Sequence, residues 1–188
     1  SVTVPGAVAG WGALRERFGR LSLADLLTPA RYYAEHGFPV SPVVAAAWAG
    51  LTEKLAAEPN TAHTYLPQGA APRAGTLFRN PDLARSLGLL ADHGPSAFYE
   101  GPIAAAIAAL MREKDGTLSV ADLEAYEPEW VDLISTTYHG WTVYEIPPNT
   151  QGIAALMMLD IMEQFPLRDY GLHSPDAMHV MIEAKKLA

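Results

Sequence analysis

The sequence predicts a mainly helical α+β chain with one short β-hairpin, and three observations carry that prediction. Helix-start signals recur: Ser41-Pro42, Asn80-Pro81 and Ser174-Pro175 each place a capping side chain before a proline, which fits the first helical position because its missing N–H would go unbonded there anyway. The residues that follow carry apolar side chains at the three-to-four spacing of a helix face. One stretch alone, Val131 to Ile146, is rich in β-branched and aromatic residues, and it is split by His139-Gly140, a two-residue turn of the kind that joins paired strands.

In chain order, the Ser/Val/Thr/Val alternation of residues 1–4 reads as a short strand feeding a helix at Pro5. That helix carries Val8, Trp11, Leu14 and Phe18 at helical spacing and stops at Gly19; Gly6 and Gly10 leave a bare strip open to close approach. Ser22 and Asp25 have capping-box spacing, opening a short helix through Leu27 that restarts at Thr28-Pro29 and ends at His36-Gly37. A slim, alanine-rich helix is expected from Val43 to Ala57, then a surface loop from Glu58 to Gly75. Asn80-Pro81 caps a helix with Leu83, Leu87 and Leu90 inward. The next begins at Pro95-Ser96, is interrupted at Gly101-Pro102 and runs on through Met111. Ser119 to Asp122 repeats the capping pattern. After the hairpin, residues 153–165 are apolar almost all round, which calls for a buried helix, and the last helix puts Met178, Met181 and Ile182 on one side.

Composition narrows the function. At 188 residues, 49% apolar and 18% charged, the chain can build a core and is slightly rich in apolar surface for a free-standing domain, which points to a partner. A formal charge of −8, with Arg15, Arg17 and Arg20 the densest basic group, argues against a nucleic-acid partner. There is no cysteine, hence no disulfide, thiol nucleophile or thiolate metal site. The longest uncharged run, residues 37–52, contains Pro39 and Pro42 and falls short of the ~20 apolar residues a membrane span needs. The chain opens on Ser1 rather than Met and closes inside a helical pattern, so it is expected to continue at both ends.

The organising stretch is Tyr144 to Gly152, YEIPPNTQG, where the hairpin meets the apolar helix. Pro147-Pro148 ends the strand by removing two N–H donors, and Asn149, Thr150 and Gln151 bring side-chain donors and acceptors ahead of Gly152. These four residues are the candidate substrate-binding positions; a rigid strand-to-helix corner is the competing reading. Glu145, beside the turn, is a further candidate to flank it. Elsewhere the chemistry is sparse. No two of the six histidines have the HxxxH spacing of a metal site, and His36 and His93 each precede a helix-ending glycine. His179 is spaced to pair with Glu183 along a helix, and the carboxylates between Glu113 and Asp132 read as a solvated acidic face. Tyr32, Tyr33 and Tyr99 read as half-buried side chains with wet hydroxyls. The hydrolase serine elbow and the phosphate loops are absent.

Six blocks in order, SVTVPGAVAGW, RFGRLSLADLLTPARYYAEHGFPVS, ADHGPSAFYEGPIA, LSVADLEAYEP, YHGWTVYEIPPNTQG and MIEAKKLA, resemble the γ-glutamyltranspeptidase family. The resemblance implies an N-terminal-nucleophile hydrolase with a four-layer αββα sandwich, made as a precursor that cuts itself into a large and a small subunit. A terminal threonine on the small subunit then attacks γ-glutamyl amides such as glutathione. The chain looks like the middle to later part of the large subunit, whose partner is the small subunit of the same precursor. No residue here matches a catalytic position of the family, and the resemblance implies no metal or other cofactor in this chain. It implies a periplasmic or extracellular setting, with a cytoplasmic one left open. The PPNTQG turn is nearer the PPNSQG form of bacterial relatives, some of them acylases, than the PPPSSGG form. A cephalosporin-type acylase of the same fold therefore stays open, as does a non-catalytic helical binding module.

Overall fold

Helices dominate the computed structural model, which describes residues 2–188 and separates into a unit of residues 1–128 and a unit of residues 129–188. In the first unit, Ser1 of the expected strand at residues 1–4 lies outside the described residues, and residues 2–6 are not a strand; helix α1 spans Ala7–Phe18. A strand needs a partner for its ladder, and among the described residues none pairs with these. The Gly6 strip is filled from the side, since a Cβ there would fall 2.2 Å from the Tyr126 hydroxyl, whereas Gly10 faces open space. Gly6 offers α1 no side-chain cap. The missing partner comes from far along the chain: the buried Tyr99 hydroxyl accepts the Ala9 N–H at 3.1 Å and donates to the Pro5 carbonyl at 2.6 Å. That N–H belongs to the first helical turn, where the helix itself supplies no acceptor. Tyr99 is thus an internal, fully bonded side chain rather than one with a wet hydroxyl, while Tyr32 and Tyr33 are exposed.

Helix α2, Leu23–His36, opens on the expected capping box: Ser22 Oγ accepts the Asp25 N–H at 3.1 Å and the Asp25 carboxylate accepts from Ser22. It is one helix, not two, and runs through Pro29. Pro29 and Asp25 are both exposed, so the hydrogen bond that proline removes is lost on a solvent-facing side of the helix, where an unbonded carbonyl costs little. β1, Phe38–Pro39, follows, then α3, Pro42–Gly50, and α4, Thr52–Ala56, where one long helix was expected; they part at Leu51. Residues 58–75 are not all loop. Glu58 caps α5, Pro59–Tyr65, by accepting the Thr61 N–H at 2.7 Å, and Pro67–Gly69 forms a tight 3₁₀ turn. The bond to the Thr61 N–H also holds the Glu58 carboxyl below its usual range. β2, Leu77–Phe78, returns antiparallel to β1. Phe78 is buried and meets Phe38, Trp48 of α3 and Tyr65 of α5 at ring separations of 5.9, 4.8 and 6.3 Å. This aromatic cluster anchors the 40–76 excursion of short helices between β1 and β2.

The core of this unit forms where α6, Pro81–His93, lies along α2. Ala34, Ala84 and Leu87 are buried there, and the Asn80 N–H donates to the Ala34 carbonyl at 2.8 Å, tying the start of α6 to α2. The short α7, Ser96–Tyr99, then α8, Pro102–Glu113, and α9, Val120–Glu124, complete it around Ala104 and Leu123, both fully buried. Asp122 closes the capping box of α9, and its hydrogen bonds from Ser119 hold its carboxyl below the usual range.

In the second unit, β3, Ile134–Tyr138, pairs antiparallel with β4, Trp141–Glu145, in the register Tyr138 to Trp141. His139 and Gly140 both take positive φ, 46° and 82°, as the two-residue turn demands. α10, Gly152–Met162, packs against β3 and against α12, Pro175–Leu187; the short α11, Leu167–Tyr170, lies between them in sequence. The apolar α10 is not enclosed within this unit. Gly152 and Leu156 are buried, but Ile153 and Met157 stay 44% and 41% exposed, and Met178, Met181 and Ile182 of α12 are comparably exposed. A hairpin on one side and a helix on the other cannot cover every face of a helix that is apolar all round. Glu183 takes its hydrogen bond from Lys186 at 2.7 Å, which holds its carboxyl low; His179 is a lesser electrostatic neighbour.

Tyr99→Phe should destabilise the first unit by about 1–3 kcal/mol, because the Ala9 N–H is then buried without an acceptor; urea melts of the two proteins measure this. Burial pushes the Tyr99 phenol above its ordinary 10.0. The folded state therefore holds this proton more tightly than the unfolded chain. Its contribution is intact below about pH 10 and falls as pH rises towards the folded value, a loss the Phe variant will not show.

Candidate functional site

The turn leaving β4 is built by contacts within the second unit. Pro147 and Pro148 end the strand, and Thr150 then folds back: its hydroxyl donates to the Ile146 carbonyl at 3.1 Å and receives the Gly152 N–H at 3.4 Å. The Gln151 carbonyl accepts the Ala154 and Ala155 N–H groups, starting α10 without a side-chain cap. Gly152 is buried against the strand end. A Cβ on it would lie 2.8 Å from the Cβ and 2.8 Å from Oε2 of Glu145, and 2.9 Å from the Ile146 oxygen. The Glu145 carboxylate therefore sits beside the first turn of a helix with no acidic residue of its own there, where negative charge is favoured.

The four predicted positions divide. Thr150 and Gly152 are spent on the turn itself. Asn149 and Gln151 are exposed, and neither amide makes a hydrogen bond among the described residues. The Thr150 hydroxyl donates to a carbonyl rather than to a base, so it is held as a clasp and not as an activated nucleophile. Glu145 does flank the turn, through Gly152. The far end of α10 is tied down by residues that pattern reading missed: Thr136 bonds Asp160, and the His139 N–H donates to both oxygens of Glu163 at 3.1 and 3.3 Å. These pairs are 24 residues apart in sequence, and no spacing rule links them. Near that end, Tyr138, Met162, Leu172, Met178 and Met181 line an apolar cavity of about 480 Å³. Among the described residues no three His, Asp or Glu side chains converge as a metal site, and no helix is long and apolar enough to cross a membrane.

The sequence profile described as gamma-glutamyltranspeptidase matches residues 1–188. The chain belongs to that family. Within it, the chain is 40% identical over 186 residues to the glutathione hydrolase-like YwrD proenzyme of Bacillus subtilis, covering 99% of this chain and 35% of that protein. It superposes on the crystal structure of a cephalosporin acylase from Bacillus halodurans with a TM-score of 0.90 at 39% identity, over 99% of this chain and 35% of that one. The Helicobacter pylori γ-glutamyltranspeptidase gives a TM-score of 0.89 at 27% identity, over 97% of this chain and 53% of that one. The chain spans about a third of the length of the curated relatives it matches. The α+β class, mostly helical with two small antiparallel sheets, agrees with the expected fold.

Gly152→Ala should open the β4–α10 corner and destabilise the second unit by more than about 1 kcal/mol, since its Cβ meets backbone as well as side chain. Thr150→Val, which keeps the volume and loses the hydroxyl, should cost less, and Thr150→Ser should recover most of the difference. Thermal melts of the three variants rank them.

Proposed function

We propose that this chain is the middle to later part of the large subunit of a γ-glutamyltranspeptidase that cleaves γ-glutamyl amides such as glutathione. The γ-glutamyl group passes to water or to an amino acid. The observation that carries the reading is the family match along the whole of residues 1–188. Within the parent, the chain serves as scaffold in a four-layer αββα sandwich. The precursor, as the proenzyme name of the relative suggests, is cut to free a terminal threonine on a small subunit, and that small subunit is the partner of this chain. The threonine hydroxyl attacks the amide carbonyl with its own amine as base, and the resulting acyl-enzyme is resolved by water or an amine. The exposed apolar faces of α10 and α12 suit a segment that the rest of a larger protein covers. A periplasmic or extracellular location goes with this reading, and fractionation of producing cells tests it.

A cephalosporin-type acylase is the second reading, favoured by the 39% identity to such an enzyme and by the PPNTQG turn. The parent enzyme supplied with γ-glutamyl-p-nitroanilide and with a glutaryl cephalosporin separates the two: faster release of p-nitroaniline supports the transpeptidase, and cephalosporin turnover alone overturns it. Residues 1–188 by themselves should release no p-nitroaniline above a blank. In the parent, Gln151→Ala should lower kcat/KM by less than about tenfold, against losses on the order of 10³-fold or more when a nucleophile is removed.

A further inference from the structure

A polar cavity in the first unit has no part in the function proposed above. Between the Pro67–Gly69 turn and β2 lies a concavity of about 680 Å³, lined by Gln68, Arg73, Thr76, Leu77 and Arg79 together with prolines and alanines of the 67–72 segment. That volume falls within the range of about 300–1,000 Å³ typical of small-molecule sites. The chain holds 21 acidic against 13 basic side chains, yet among the described residues no carboxylate pairs with Arg73 or Arg79. Two exposed guanidinium groups without a carboxylate partner thus line one cavity.

Arg79 is also pre-set. Its Nε donates to the His36 carbonyl at 3.0 Å, which fixes the plane of the guanidinium. Its stem passes Gly37, where a Cβ would fall 2.9 Å from the Arg79 Cγ and φ is +93°. Capping the end of α2 takes Nε alone and leaves both Nη groups, the fork that holds a carboxylate by two parallel bonds. Arg73 makes no side-chain hydrogen bond among the described residues. The Thr76 hydroxyl bonds the Arg73 carbonyl at 2.7 Å, holding the turn that carries it. Leu77 and the proline–alanine segment add apolar lining to the same cavity.

We propose that this cavity binds a small carboxylate carrying a short aliphatic group, in the manner of an amino acid or the end of a short peptide, with Arg79 and Arg73 holding the carboxylate. The test is calorimetric titration of the parent protein with N-acetylleucine, N-acetylleucinamide and inorganic phosphate, read as binding and so independent of the activity proposed above. N-acetylleucine should bind, and Arg73→Gln and Arg79→Gln should each weaken it about tenfold or more. Arg73 has no internal bond to lose, so its variant reports on binding even if Arg79→Gln loosens the end of α2. Arg85→Gln, which removes a surface charge already bonded to Asp82, should leave affinity unchanged. Equal binding of the amide, equally tight binding of bare phosphate, wild-type affinity in Arg73→Gln, or an equal loss in Arg85→Gln would each overturn the proposal.

Discussion

The hydroxyl of Tyr99 joins parts of the first unit that are about ninety residues apart. It sits at the start of α1, accepting the Ala9 N–H and donating to the Pro5 carbonyl, and so does the work that a Ser, Asn or Glu at the helix start does elsewhere in this chain. Its ring stacks on Tyr126 at 5.6 Å, and Tyr126 in turn occupies the space beside Gly6. One residue therefore ties α1 to α7 and to the segment after α9. A bonded hydroxyl is what allows so polar a group to be buried at the centre of an apolar cluster.

The second unit is held at both ends of one helix. The Thr150 clasp and the Glu145–Gly152 contact set where α10 begins, and the bonds from Thr136 to Asp160 and from His139 to Glu163 hold its far end to the hairpin. Between those points α10 is apolar on faces that neither β3 nor α12 reaches. Polar contacts thus position the helix, while much of its apolar surface stays available. The same economy operates at the turn, where Thr150 and Gly152 are consumed in making the corner and only Asn149 and Gln151 remain to meet anything else.

Much of the architecture was legible because its signals are local. The capping boxes at Ser22 and Ser119, the Ser-Pro and Asn-Pro helix starts and the His139-Gly140 turn are each decided within four residues, since a cap or a tight turn is satisfied by its near neighbours. Two features escape these signals. Pro29 predicts a restart because proline breaks helices, yet packing of α2 on α6 outweighs one lost hydrogen bond on an exposed face. The helix at 59–65 is hidden in the sequence because its cap is a glutamate and its short polar sequence shows no period. In the candidate site, the turn and its four residues were visible, and the division of labour among them was not.

By itself, then, the sequence determined the helix starts, the single hairpin, the family and the strand-to-helix corner at YEIPPNTQG, all of which depend on residues adjacent in the chain or on blocks recognised in order. Only the tertiary structure decided that Tyr99 caps α1, that Phe78 gathers the aromatic rings of the 40–76 excursion, that Glu145 closes on Gly152 and that Arg73 and Arg79 share a cavity. The first two depend on distances between residues remote in sequence, and the last two on how a turn folds back on its own neighbours. They are set by which faces pack together, and no spacing along the chain encodes that.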